Sequence, residues 1–165
     1  MQHASERAMP VRATVTLPGQ PRYVRWAREL VAIALGRAHP GYEPLTLIVS
    51  ELFTNSIVHS RSRLDGGTVT VTLLRSPGGT LNERDSIRVE VTDDGAASLP
   101  ALRAMDSSAA GGRGLHLVDG LAASWNCARD PAGTTTTWAD VIVCRRGRGS
   151  RAPAGAAGWP VDGRA

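Results

Sequence analysis

The sequence contains no lysine: its nineteen basic side chains are all arginine. That absence removes several chemistries at once. A phosphate loop of the GxxxxGK[ST] kind needs a lysine that reaches the terminal phosphates. Protein kinases of the common eukaryotic kind need a lysine on a strand. A Schiff-base enzyme needs an amine side chain. Aromatic residues are also scarce, at 4%, so Leu, Val, Ile and Ala must supply the core that a hydrophobic content of 42% provides. No apolar run approaches about 18 residues, and no membrane span is expected.

Cysteine is nearly absent as well. Cys127 and Cys144 form no CxxC pair, which leaves zinc without its usual ligands. Residues 1–10 are polar and lack the apolar centre of a signal peptide. The expected location is therefore cytoplasmic, with both thiols reduced. The net charge of +4 is modest, and Arg145, Arg146, Arg148, Arg151 and Arg164 crowd the C-terminal stretch. No aromatic residue lies between Arg145 and Arg151, so nucleic acid is not an expected partner. The preference for arginine over lysine is in keeping with GC-rich codons.

What is present divides into three parts: a loose arm over residues 1–12, a domain over 13–144, and a Gly, Arg, Ala and Pro tail over 145–165 that is expected to be disordered. Within the domain, residues 13–17 alternate as a short strand. Pro18-Gly19 turns the chain, and Pro21 suits a first helical turn. A helix follows to about Ala38, with Val24, Ala27, Val31, Ala34 and Leu35 at helical spacing, and His39-Pro40-Gly41 ends it. A second helix is expected over 44–60. Strands are expected over 68–75 and 86–92, a short helix over 114–122, and two closing strands over 124–128 and 134–144. The order predicts a two-layer α+β sandwich, with a mixed, mostly antiparallel sheet and helices on one face.

The second helix carries the first chemical signal. Between Leu45 and Ser60 its only charged residue is Glu51. Leu45, Val49, Leu52, Phe53 and Ser56 share one face, while Leu47, Thr54 and Val58 on the other are no solvated stripe, so the helix is expected to be covered on both sides. Glu51 and Asn55 are four apart and stack on one face. A carboxylate in such surroundings is costly unless it is paired or used. Two readings are open: a structural bridge to an arginine, or a catalytic carboxylate beside a ligand for a metal or phosphate oxygen.

The second signal is Asp93-Asp94-Gly95 at the end of a strand. It is either a plain turn or a carboxylate placed to accept a hydrogen bond from an exocyclic amine, with Gly95 admitting a planar ring to the backbone. The third is Gly111-Gly112-Arg113-Gly114-Leu115 before a helix. Glycines there expose backbone N–H groups, and the helix dipole favours an anion. A flexible loop is the competing reading.

Taken in order, Glu51-Leu-Phe-Thr-Asn55 with His59, Asp93-Asp-Gly95 and Gly112-Arg-Gly-Leu-His-Leu-Val118 resemble the GHKL ATPase superfamily, the histidine-kinase-like ATP-binding fold. The small size and the string GRGLHLV, followed by a strand with Trp138, look like the anti-sigma-factor serine/threonine kinase branch. The resemblance runs over residues 13–143 and implies ATP and Mg²⁺ as cofactors. It implies that Glu51 is the general base and that Asn55 holds the metal. Asp93 would bind the adenine amine and Gly95 would line the base. Gly112, Arg113, Gly114 and Leu115 would cradle the phosphates, and residues 96–111 would form a lid. A threonine of 134–137, with Thr134 the first of the four, would contact phosphate. Ala97 departs from the common Asp-x-Gly-x-Gly pattern at its second glycine. The implied partners are an anti-sigma-factor antagonist, a sigma factor and a second copy of the chain. The alternative is a non-catalytic ATP or ADP module that regulates a partner by sequestration. His59 and His116 are expected to pack or to support the site, and Ser107 and Ser108 to belong to the lid.

Overall fold

The computed structural model describes residues 11–76, 84–95 and 113–144. The expectations placed on Gly112, the lid, Ser107, Ser108, the tail and most of the arm lie outside those residues. Strand β1 spans Val11–Pro18. A 3-10 turn at Pro21–Tyr23 leads into helix α1, Val24–Leu35, and helix α2 spans Tyr42–His59. After a second 3-10 turn at Arg61–Arg63 come β2, Thr68–Ser76, and β3, Arg84–Asp93. Helix α3 spans Arg113–Leu121, followed by β4, Ser124–Arg129, and β5, Thr135–Cys144. The chain forms a two-layer α+β sandwich with sheet order β1-β2-β3-β5-β4. Every described pairing is antiparallel, so the sheet is simpler than the mixed one expected.

Alternation along the strands decides which face the helices cover. Val69, Val71, Leu73, Ile87, Val89, Val91, Ala139 and Val141 all point to one side and are buried. Threonines line much of the other side and hydrogen-bond across strands, Thr14 with Thr72 at 2.7 Å, Thr16 with Thr70 at 2.9 Å and Thr92 with Thr136 at 2.8 Å. That division of one apolar and one polar face is what an antiparallel sheet covered on a single side requires.

Helix α2 is the central piece of the helical layer. It packs between α1 and α3 and rests on β2, β3 and β5. Leu45, Ile48, Val49 and Phe53 are fully buried, each contributing about 1.5–3 kcal/mol by leaving water. Its outward side is different. Among the described residues nothing covers Leu47, 46% exposed, or Val58, 52% exposed, and Thr54 is exposed too. The expectation of cover on both sides is not met, because the helices form a single layer.

Helix α1 stops at Leu35, short of the expected Ala38. Gly36 takes φ +80° there, and its N–H closes the last turn on the Ala32 carbonyl. The connection to α2 is fastened to the sheet by Asp85, which is completely buried at the start of β3. Asp85 accepts from Arg75 Nη2 at 2.7 Å and from His39 Nε2 at 2.9 Å. His39 Nδ1 accepts the Gly41 N–H, so its proton sits on Nε2. The opposite end of β3 is left for the residues singled out above.

Candidate functional site

β3 is the middle strand, paired with β2 on one side and β5 on the other, and it ends at Asp93. Its last register partners are Val69 and Thr135. Asp93 is 7% exposed. Its Oδ1 accepts the Gly95 N–H at 2.8 Å, and the Ser56 hydroxyl of α2 donates to the same carboxylate. Burial raises its pKa above the ordinary aspartate value and outweighs those two donors; neighbouring Asp94 adds to the rise and Arg129 opposes it.

Asp94 has a different duty. Its Oδ2 accepts the Thr68 N–H at 2.8 Å and the Ser62 hydroxyl at 3.2 Å, while its own N–H donates to Ser62 Oγ at 2.9 Å. The single Ser62 hydroxyl proton is shared with the Thr68 carbonyl, the nearer acceptor at 2.6 Å. This second carboxylate is therefore engaged in tying β3 to the start of β2 and to the turn after α2. An ionised carboxylate offers about four lone-pair sites. Each of the two neighbours accepts two donors and retains capacity; that of Asp93 lies beside α2, where Ser56 reaches it.

Gly95 holds φ +84°, a conformation that side chains resist. A Cβ there would overlap the Gly133 carbonyl oxygen. Gly133, at φ +90°, belongs to the tight turn between β4 and β5. Two backbone turns thus meet without side chains beside Asp93.

The four threonines after Gly133 separate by strand alternation. Thr134 is engaged in the turn: its hydroxyl donates to Asp130 Oδ2 at 2.7 Å and its N–H to Asp130 Oδ1 at 2.9 Å. Thr135 opposes Asp93, is 1% exposed, and its hydroxyl has no hydrogen-bond partner among the described residues. Thr136 faces the outer side, and Thr137 is buried. A buried hydroxyl without a partner is rare and costly. The inward set was legible in the sequence, because Ala139 and Val141 fix the parity that places Thr135 and Thr137 inside. Ser56 was missed as a contact to Asp93, since small polar residues on an apolar helix face pass for packing.

Glu51 and Asn55 are half-buried on α2. Glu51 meets the start of α3: a Cβ on Gly114 would run into its Oε2. Arg113 opens α3 and is exposed, and Leu115 packs onto the core. The first N–H groups of a helix lack partners within it and favour an anion. The structure therefore brings Glu51 together with Gly114, and α2 together with Asp93 through Ser56.

A sequence model of the histidine kinase-like ATPase domain matches residues 17–139. The chain belongs to the histidine kinase-like ATPase family. The matched span contains Glu51, Asn55, Asp93, Gly95, Gly114 and Thr135, and it makes the chain an ATP-binding domain. A search of curated proteins finds no match. No helix among the described residues is long and apolar enough to cross a membrane.

Domains of this family bind ATP, typically with Mg²⁺. The donor set suits that ion. Among the described residues no cluster of three His, Cys, Asp or Glu side chains forms a metal cage. Mg²⁺ needs none: it is held by one or two protein oxygens, substrate phosphates and water. The amide oxygen of Asn55, a turn along α2 from Glu51, is a hard oxygen donor of the right kind.

Proposed function

We propose that the chain is a serine/threonine protein kinase of the anti-sigma-factor type, which moves the γ-phosphoryl group of ATP to a hydroxyl of a small partner protein. The observation that carries this reading is the contact between Glu51 and the start of α3. A family member that only held nucleotide would have no need of a carboxylate beside the helix terminus that faces the phosphates.

In this reading Asp93 accepts a hydrogen bond from the exocyclic amine of adenine, and Gly95 gives the ring close access to backbone. Thr135, with its buried free hydroxyl opposite Asp93, is a better candidate than Thr134 for the nucleotide contact. The N–H groups at Arg113, Gly114 and Leu115, with Gly112 before them, bind the phosphates, and the Arg113 guanidinium adds charge. Asn55 holds Mg²⁺, which when bound neutralises phosphate charge. Glu51 accepts the proton of the incoming hydroxyl. The hydroxyl oxygen then forms a bond to the γ-phosphorus as the bond to the bridging oxygen breaks, and ADP departs. Such transfer depends mostly on positioning and charge neutralisation.

The phosphoacceptor by this reading is an antagonist protein whose modification frees or captures a sigma factor. ATP titration with and without Mg²⁺, on the native chain and on Asp93→Ala, tests the nucleotide site. Transfer of radiolabel from γ-labelled ATP to a candidate partner, compared between the native chain and Glu51→Ala, tests the chemistry. Equal transfer by the two proteins removes Glu51 from the mechanism. Binding without transfer to any antagonist-type protein favours a sequestering module.

A further inference from the structure

Arg61 begins the turn that follows α2, and its side chain is exposed. An exposed arginine ordinarily keeps much of its rotamer freedom. This one is anchored twice. Its backbone N–H donates to the Gly95 carbonyl at 2.9 Å, and its Nε donates to the Asp94 carbonyl at 3.0 Å. Both acceptors belong to the turn that immediately follows Asp93. The anchors are carbonyl oxygens, whereas the Asp94 carboxylate is turned toward Thr68 and Ser62.

The remaining arm of the guanidinium reaches further. Nη2 lies 3.3 Å from the Cβ position at Gly95 and 3.5 Å from that at Gly133. Arg61 therefore spans the place where the end of β3 meets the β4–β5 turn. Asp93 with Thr135 is the last register pair of β3 and β5, and no ladder bond lies beyond it. Strand ends of that kind open more easily than strand centres. The rigid, planar fork of arginine suits such a bridge, and the point charge of lysine does not reproduce it.

We propose that Arg61 is a positioning residue for the purine end of the nucleotide site: it holds the turn after Asp93 against Gly133 and so fixes the opening between Asp93 and Thr135. This rests on the reading of Asp93 as the adenine ligand. Its consequence is base selectivity, because the phosphates are bound elsewhere, at the start of α3 and beside Glu51.

The test measures ATP and GTP affinity by calorimetry on the full chain, for the native protein, Arg61→Ala, Arg61→Lys and Asp93→Ala, with urea midpoints recorded alongside. Arg61→Ala weakens ATP about tenfold or more while GTP, held mainly through its triphosphate, changes little. Arg61→Lys keeps the backbone anchor and the fold, and loses at least about threefold of the ATP preference. A native ATP-to-GTP ratio in both variants overturns the proposal, even where the urea midpoint falls, since a merely structural arginine would lower stability alone. Native-like ATP binding by Asp93→Ala rejects the adenine assignment and this proposal with it. Loss in Asp93→Ala beside unchanged Arg61 variants rejects the role of Arg61 only.

Discussion

The Glu51 carboxylate occupies the space into which a side chain at Gly114 would grow. Glu51, the proposed general base, and the start of α3, the proposed phosphate site, are thus in direct contact, and each constrains the other. Glu51→Ala is expected to lower phosphoryl transfer by about 10²–10⁴-fold while leaving ATP affinity nearly native. Gly114→Ala is the companion test. The obstructing atoms are the far end of a flexible side chain, so the fold survives by displacing the carboxylate. A displacement of about 1 Å is enough to cost on the order of 10²-fold in rate. Single-turnover transfer on both variants, with circular dichroism to confirm the fold, decides the matter. A Gly114→Ala protein with native turnover would show that the contact is incidental.

Asp93 sets a conflict between binding and stability. Its pKa is raised in the folded chain, chiefly by burial. A raised carboxylate favours folding while it is protonated, and that contribution is lost as pH climbs through the folded-state value. At neutral pH the ionised group therefore works against the nucleotide-free fold. Asp93→Asn is expected to melt at or above the native temperature at pH 7–8, with the gain shrinking as pH falls into the carboxylate range, and to lose ATP binding. The native chain should also release ATP on acidification earlier than an unperturbed aspartate would dictate. A lower melting temperature for Asp93→Asn at neutral pH contradicts this account.

Much of this arrangement was legible in the chain itself. The stretch from Leu45 to Ser60 with Glu51 as its lone charge, the strand ending in Asp-Asp-Gly and the glycines before Leu115 announced the three stretches, because each follows from local pattern. Parity along the last strand also held the answer to which threonine faces Asp93. What the pattern did not give was the division of labour between Asp93 and Asp94. That depends on Ser62 and Thr68, whose approach is created only when β2 and β3 pair. The outward side of α2 misled for a related reason: Leu47 and Val58 read as covered, and among the described residues the single helical layer leaves them open.

The duty of Asp94 gives a stability prediction with no direct binding component. Asp94→Ala strips the Thr68 N–H of its acceptor in a half-buried place, while the Ser62 hydroxyl keeps the Thr68 carbonyl. Leaving such a donor unpaired costs about 1–3 kcal/mol. Urea unfolding should show that loss. Residual folded protein should still bind ATP, because Asp93 keeps Gly95 and Ser56. An Asp94→Ala variant of native stability would mean that water replaces the lost acceptor at no cost.

The two adjacent threonines allow the sharpest separation of scaffold from site. Thr135→Val removes a buried hydroxyl that has no partner, so the nucleotide-free protein should be as stable as the native chain or more stable by about 1 kcal/mol. Its ATP affinity should fall about tenfold if, as proposed, the hydroxyl opposite Asp93 serves the nucleotide. Thr134→Val has the reverse profile: it loses the hydroxyl bond to Asp130 within an exposed turn and should bind ATP normally. Calorimetric titration of both variants, with melting curves taken without nucleotide, reads each effect separately. If Thr134→Val weakens ATP while Thr135→Val does not, the phosphate or base contact lies one residue earlier, and the buried hydroxyl of Thr135 has no part in binding.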